Sequence, residues 1–145
     1  MNSNLFATQD AFKTLLSAST DLTGVPIHLG TPLKISDLKE VVWVSGEVED
    51  WVQEYRVSGL QATDETFVIR VHCLVTVTGN YVAARDRAKT LLQAVEDVVA
   101  SNRTLSGTVV LAKVTNLALE EARADERRHQ VLATLYVNCR ANLVA

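Results

Sequence analysis

The chain has little of what secretion, metal binding or covalent catalysis requires. Its two cysteines, Cys73 and Cys139, are too few for a disulfide framework, so a reducing compartment is the expected setting. The histidines His28, His72 and His129 lie far apart without ligand spacing, and no Cys-x-x-Cys pair accompanies them. The glycines, at positions 24, 30, 46, 59, 79 and 107, are scattered as turn punctuation and form neither a GxGxxG nor a Walker loop. Basic residues are not in excess. Lys+Arg number 14 against 17 Asp+Glu, a net charge of −3, without the basic stripe of a sequence-reading nucleic-acid binder. Mild negative charge still suits a protein that DNA merely passes. Met1–Phe6 lacks the basic and apolar regions of a secretory signal, and no apolar run approaches the ~20 residues of a membrane span. These absences predict a soluble, intracellularly made protein with no metal, no cofactor and no membrane contact.

What the chain does have is alternation. In Thr66–Thr78, Phe67, Ile69, Val71, Cys73, Val75 and Val77 point one way; in Gln130–Asn142, Val131, Ala133, Leu135, Val137, Cys139 and Ala141 do the same. Strands of that length span roughly 44 Å. A single domain of 145 residues has a diameter on the order of 37 Å. Such strands should project beyond their own core or support a neighbouring subunit.

The remaining pattern predicts one α+β domain over 1–145: a mostly antiparallel or mixed twisted sheet, two helices packed on it and a long terminal β-hairpin. Thr8 is expected to cap a first helix reaching about Thr20, with Phe12, Leu15, Leu16 and Leu22 as its apolar stripe. Val25–Leu29 reads as a short edge strand containing proline. Val41–Val48 and Trp51–Val57 read as two extended pieces, with Gly46 marking a bulge. Gly59–Glu65 reads as a polar loop. From Tyr81 to Asn102, residues Tyr81, Ala84, Ala88, Leu91, Leu92, Val95, Val98 and Val99 fall at helical spacing, behind Asn80 as N-cap. Thr108–Leu119 reads as a strand, and the charged segment Glu120–His129 leads into the last one.

No constellation of catalytic groups emerges. His72 and Cys73 are adjacent, but neighbouring residues on a strand face opposite ways and cannot share a site. Both cysteines fall on apolar faces, where a thiol is inert packing. The acids Glu47, Glu49, Asp50, Glu120 and Glu121 read as solvated turns. Two features point to recognition. Trp51 and Tyr55 share a strand face amid Glu49, Asp50, Gln53 and Glu54, which fits either a core margin or an aromatic interface anchor. The run Arg123-Ala124-Asp125-Glu126-Arg127-Arg128-His129 reads as a hairpin tip whose Arg123, Asp125, Arg127 and Arg128 suit ion pairs between subunits.

From Val41 to Asn142 the layout resembles the tail terminator proteins of long-tailed, siphovirus-type bacteriophages, the lambda tail-terminator-like family. The resemblance runs through Val-Trp-Val-Ser-Gly-Glu-Val-Glu-Asp-Trp at 42–51 and Glu65-Thr66-Phe67-Val68-Ile69-Arg70-Val71. It continues through Gly79-Asn80-Tyr81, Ala84-Arg85, Ala94-Val95-Glu96 and Leu105-Ser106-Gly107. It implies a homohexameric ring at the head-tail junction of the virion. That ring would cap the tail-tube protein, stop its polymerisation and meet the head-side connector or stopper. DNA would cross its lumen without sequence-specific binding. The family brings no catalytic motif to transfer. Two alternatives stay open: a tail-tube or head-completion (stopper) protein of the same assembly, or a small enzyme or ligand-binding module. The second requires His72, Arg70 and Arg140 to converge in a closed cavity.

Overall fold

The computed structural model describes residues 3–33, 39–55, 62–123 and 127–144. In chain order these form α1 (Leu5–Ala18), a 3-10 turn (Thr20–Leu22), β1 (Ile27–Leu29), β2 (Glu40–Tyr55), β3 (Ala62–Thr78), α2 (Tyr81–Ser101), β4 (Leu111–Arg123) and β5 (Arg128–Val144). The strands make one five-stranded sheet in the order β1-β2-β3-β5-β4. Strand β1 runs parallel to β2 and the other neighbours are antiparallel. Both helices pack on the sheet, so the expected α+β architecture with its β4–β5 hairpin is the one formed.

Alternation in β3 and β5 sets the core. Phe67 lies opposite Cys139, Ile69 opposite Val137, Val71 opposite Leu135, Cys73 opposite Ala133 and Val75 opposite Val131, which makes one buried apolar face. Helix α2 lays Ala84, Ala88, Leu91, Val95 and Val99 on that face, and α1 adds Phe12 and Leu16. Asn80 caps α2 as its sequence predicts: its side chain accepts a hydrogen bond from the Ala83 amide at 3.2 Å. Gly79 precedes it at φ 77, a backbone conformation that side chains resist. Helix α2 joins β3 to β4, which run parallel to each other with β5 inserted between them.

Three sequence expectations are corrected. Thr8 is not a cap: α1 begins three residues earlier, and the Thr8 hydroxyl donates to the Asn4 carbonyl at 2.6 Å from inside the helix. Tertiary contacts fix that start, because the Asn4 amide donates to Glu65 and its side chain to the Thr108 carbonyl. Second, Val41–Val48 and Trp51–Tyr55 belong to one strand. Its pairing with β3 slips twice, between Val44 and Val48 around the expected bulge residue Gly46, and between Glu49 and Val52. Asp50 takes a left-handed φ of 53 within the second slip. Third, the polar stretches Ala62–Glu65 and Glu120–Arg123 are paired strand, not loop. Glu120 and Glu121 stay exposed and hydrated along their ladder, while the buried Glu65 carboxylate is satisfied by donors from Asn4, Trp51 and Gln53, so polarity did not interrupt pairing in either stretch.

The excess of strand takes an unexpected direction. Helix α2, at ~1.5 Å per residue, is about 32 Å long. A strand the length of β3 spans roughly 56 Å. Even so, the helix-facing row of β5 stays buried from Val131 to Ala141, because the start of α1 and the turn at Leu105–Val109 close the end that α2 does not reach. The surplus is lateral. On β4, Leu117 and Leu119 lie opposite buried Leu135 and Ala133, yet they are 54% and 50% exposed. The opposite face carries no described helix and holds only a small cluster, Val41, Trp43 and Leu74 with Leu132 against it.

Candidate interaction surface

Two sheet edges combine exposed backbone with exposed apolar side chains. The first is the far half of β2. Strand β1 pairs only with Val42–Val44, so among the described residues no strand flanks the outer edge of Ser45–Tyr55. That stretch carries Glu47, Glu49, Asp50 and Glu54 and no cation. Trp51 and Val52 are 39% and 44% exposed within it. Arg70 on β3 reaches Glu47 at 2.6 Å and Glu49 at 3.4 Å, which leaves the edge acidic at Asp50 and Glu54.

The second slip of β2 brings Trp51 to the helix side, where its indole N–H donates to Glu65 Oε2 at 3.0 Å. Gln53 donates to the same oxygen at 3.0 Å, and the Asn4 amide donates to Oε1 at 2.9 Å. Glu65 is fully buried. Burial pushes its carboxyl up, but hydrogen bonds from Ser3, Gln53, Asn4 and Trp51 outweigh it and hold the group below its ordinary value. The carboxylate also sits at the N-terminus of α1, where the helix dipole favours negative charge. One buried acid thereby ties α1, β2 and β3 together beside the edge.

The second edge is β4, where Leu111 and the preceding Val110 are exposed at 42% and 48%. Its lower half carries Lys113, flanked by exposed Arg103 on the preceding turn and exposed Arg140 on β5. Between α2 and this strand lies a cleft of about 170 Å³ lined by Glu96, Val99, Ala100, Arg103, Ala112, Lys113 and Val114.

The residues singled out from sequence divide into two groups. Trp51 stands at the β2 edge, partly core margin and partly exposed; Tyr55 pairs with Thr63 at the same end of the sheet. Arg123 pairs with His129, and Arg128 with Thr78, at the other end. The Arg127 carbonyl accepts the Gly79 amide at 2.6 Å. The side chains of Tyr55 and Arg123 and the whole of Asp125 lie outside the described residues. These groups do not form one patch. Glu65 lies in a stretch whose polarity reads as loop, and Lys113 and Leu111 lie on a strand whose alternation is only partial, so none of the three stands out in the sequence.

The polar face offers no converging chemistry. Arg70 lies opposite Tyr136 and Arg140 opposite Thr66, four rows apart on an open sheet surface. At ~3.3 Å per row that is about 13 Å. His72 contacts Thr134 at 2.8 Å and packs against Trp43 with ring centroids 4.9 Å apart and planes tilted by 33°. Burial lowers its pKa, Arg70 lowers it further, and Glu47 opposes both. Burial pushes the Cys73 and Cys139 thiols up to about 12, far from nucleophilic thiolates. An open cleft of about 620 Å³ beside α2 is lined by Asp21, Asp86, Lys89, Thr90, Gln93, Ala94 and Asp97, without a histidine or cysteine. Among the described residues, no group of three metal-ligating side chains is placed to hold an ion, and no helix is long and apolar enough to cross a membrane. No protein-family model matches the chain, and no curated protein matches it.

Proposed function

We propose that this chain is a structural virion subunit of the tail-terminator kind. It assembles into a ring that caps the tail tube, halts tube growth and meets the head-side connector at the head-tail junction, with DNA crossing the lumen. The observation that carries the assembly reading is a pair of long sheet edges bearing exposed apolar residues on a subunit whose own core is filled. Such edges can accept a further strand, and the bulges and charges on β2 limit which strand that is. The tail assignment rests on the sequence resemblance between Val41 and Asn142, and the mild acidity suits a wall that DNA slides past.

Negative-stain electron microscopy of the purified protein tests it. Discrete single rings are the expected result. Filaments would transfer the chain to the tail-tube reading, since tube subunits stack without limit. Binding of rings to the ends of preformed tubes, with arrest of further growth, is the functional readout.

A further inference from the structure

We infer that copies of this chain join head to tail, edge to edge, with the far half of β2 of one subunit adding to the lower half of β4 of the next. The inference rests on the reading of the chain as a self-assembling subunit, but not on its place in a tail.

Strand direction favours this joint. From edge to edge, β2, β3, β5 and β4 alternate down, up, down, up. A β2 strand placed beside β4 therefore continues the antiparallel alternation and keeps the helices of both subunits on the same side. The joint is heterologous, because it uses two different edges, and heterologous joints close into rings or run on as filaments.

The side chains match when the rows of the sheet are continued straight across. Lys113 lies opposite Asn138, which lies opposite Val68, which lies opposite Glu49, so cation and carboxylate occupy the two ends of one row. In the next such row Leu111, Arg140, Thr66 and Val52 align, with an exposed apolar residue at each end. Continuing the sheet into a second copy sets Lys113 beside that copy's Glu49, which Lys113 would share with that copy's own Arg70 at 3.4 Å, and sets Leu111 beside its Val52. Arg103 and Arg140 then approach the Asp50 and Glu54 end. On the helix side, Trp51 of the second copy stands level with Ala112, at the mouth of the cleft lined by Val99, Ala100, Ala112 and Val114. The cleft offers the indole apolar contact with Val99, Ala100, Ala112 and Val114 and a cationic rim from Arg103 and Lys113, with Glu96 beside them. Strand β1 covers β2 beside Val42–Val44 and so stops the joint from spreading further up the sheet.

The test is a pair of cysteines, Lys113→Cys and Glu49→Cys, in one chain. Within a subunit the two positions lie three strand spacings apart, roughly 14 Å, too far for a disulfide. Between subunits they become cross-strand neighbours, which a disulfide can span. Native Cys73 and Cys139 are buried and do not compete. Oxidation of the double variant is expected to give a covalent ladder above the dimer on non-reducing gels, and each single variant is expected to give none. A ladder that fails to form, or dimers from a single variant, overturns the joint. In a second arm, K113E is expected to weaken association about tenfold, and K113E with E49K to restore it. Unchanged association in K113E, with its melting temperature retained, also overturns the joint. Rings seen without the ladder would sink the joint and leave the proposed function standing. A ladder that belongs to filaments would do the reverse.

Discussion

Replacing Glu65 with glutamine should destabilise the subunit strongly, although the two side chains have nearly the same shape. The fully buried carboxylate accepts from the Asn4 amide through one oxygen and from Trp51 and Gln53 through the other. A glutamine has one carbonyl oxygen, so its amide N–H2 must face donors at one end of this arrangement. Either the Asn4 amide or the Trp51 indole then loses its acceptor. A buried donor left without a partner costs about 1–3 kcal/mol, and charge-assisted hydrogen bonds at a helix N-terminus are lost besides. The total is about 2–4 kcal/mol. For a chain of this size each kcal/mol moves the melting temperature by roughly 3 °C, so a drop of roughly 6–12 °C at neutral pH is expected by circular dichroism.

The pH dependence supplies the refuting comparison. The folded pKa of Glu65 is lowered, so its stabilisation is fully present above the ordinary carboxylate value of about 4.3 and is lost as pH falls through the lower folded value. Wild type and E65Q should therefore converge in acid. A gap under about 2 °C at neutral pH, or a gap that persists unchanged in acid, would refute the assignment of Glu65 as the clamp between α1 and the sheet.

His72 should titrate below its ordinary value when followed by NMR of its ring protons, because burial and Arg70 both oppose its charging. The unfolded chain then binds the extra proton first, so the stability that neutral His72 contributes is present above about pH 6.5 and is lost as pH falls from there. Cys73 and Cys139 should resist thiol reagents at mildly alkaline pH until the protein is unfolded, since both thiols are pushed up to about 12; fast labelling of the native protein would contradict their burial. Charge reversal at Arg127 and Arg128, at the end of the sheet away from the β2–β4 joint, should leave the subunit folded by circular dichroism while weakening assembly at matched salt, as measured by sedimentation; unchanged association would refute a role for this end in assembly.

Periodicity made most of the fold legible. The rows from Phe67 to Val75 and from Val131 to Ala141 announced one buried face, and the helical spacing from Tyr81 to Val99 announced the helix that covers it. What escaped reading were features decided by partners distant in sequence. Thr8 is a credible cap by residue type, yet α1 starts at Leu5 because Glu65 and Thr108, far along the chain, hold Asn4. Glu65 itself looked like loop chemistry. Its burial depends on four donors, from Ser3, Asn4, Trp51 and Gln53, which no local window contains.

The edge on β2 was hidden for a related reason. Strict alternation identifies a strand only while each residue has one partner, and β2 breaks that rule at Gly46 and again at Asp50. Each break shifts the following side chains relative to β3. Val48 thus stays against the core, Glu49 faces Arg70 on the polar side, and Trp51 swings to the helix side. A regular strand could not present that sequence of faces over four residues. The bulges bend the edge and twist it, a common way to keep edge strands from pairing indiscriminately. On β2 they also give the edge an acidic row on one face and an aromatic side chain on the other. An edge so marked can discriminate among neighbouring strands by charge and by pocket, which a flat ladder of valines could not do.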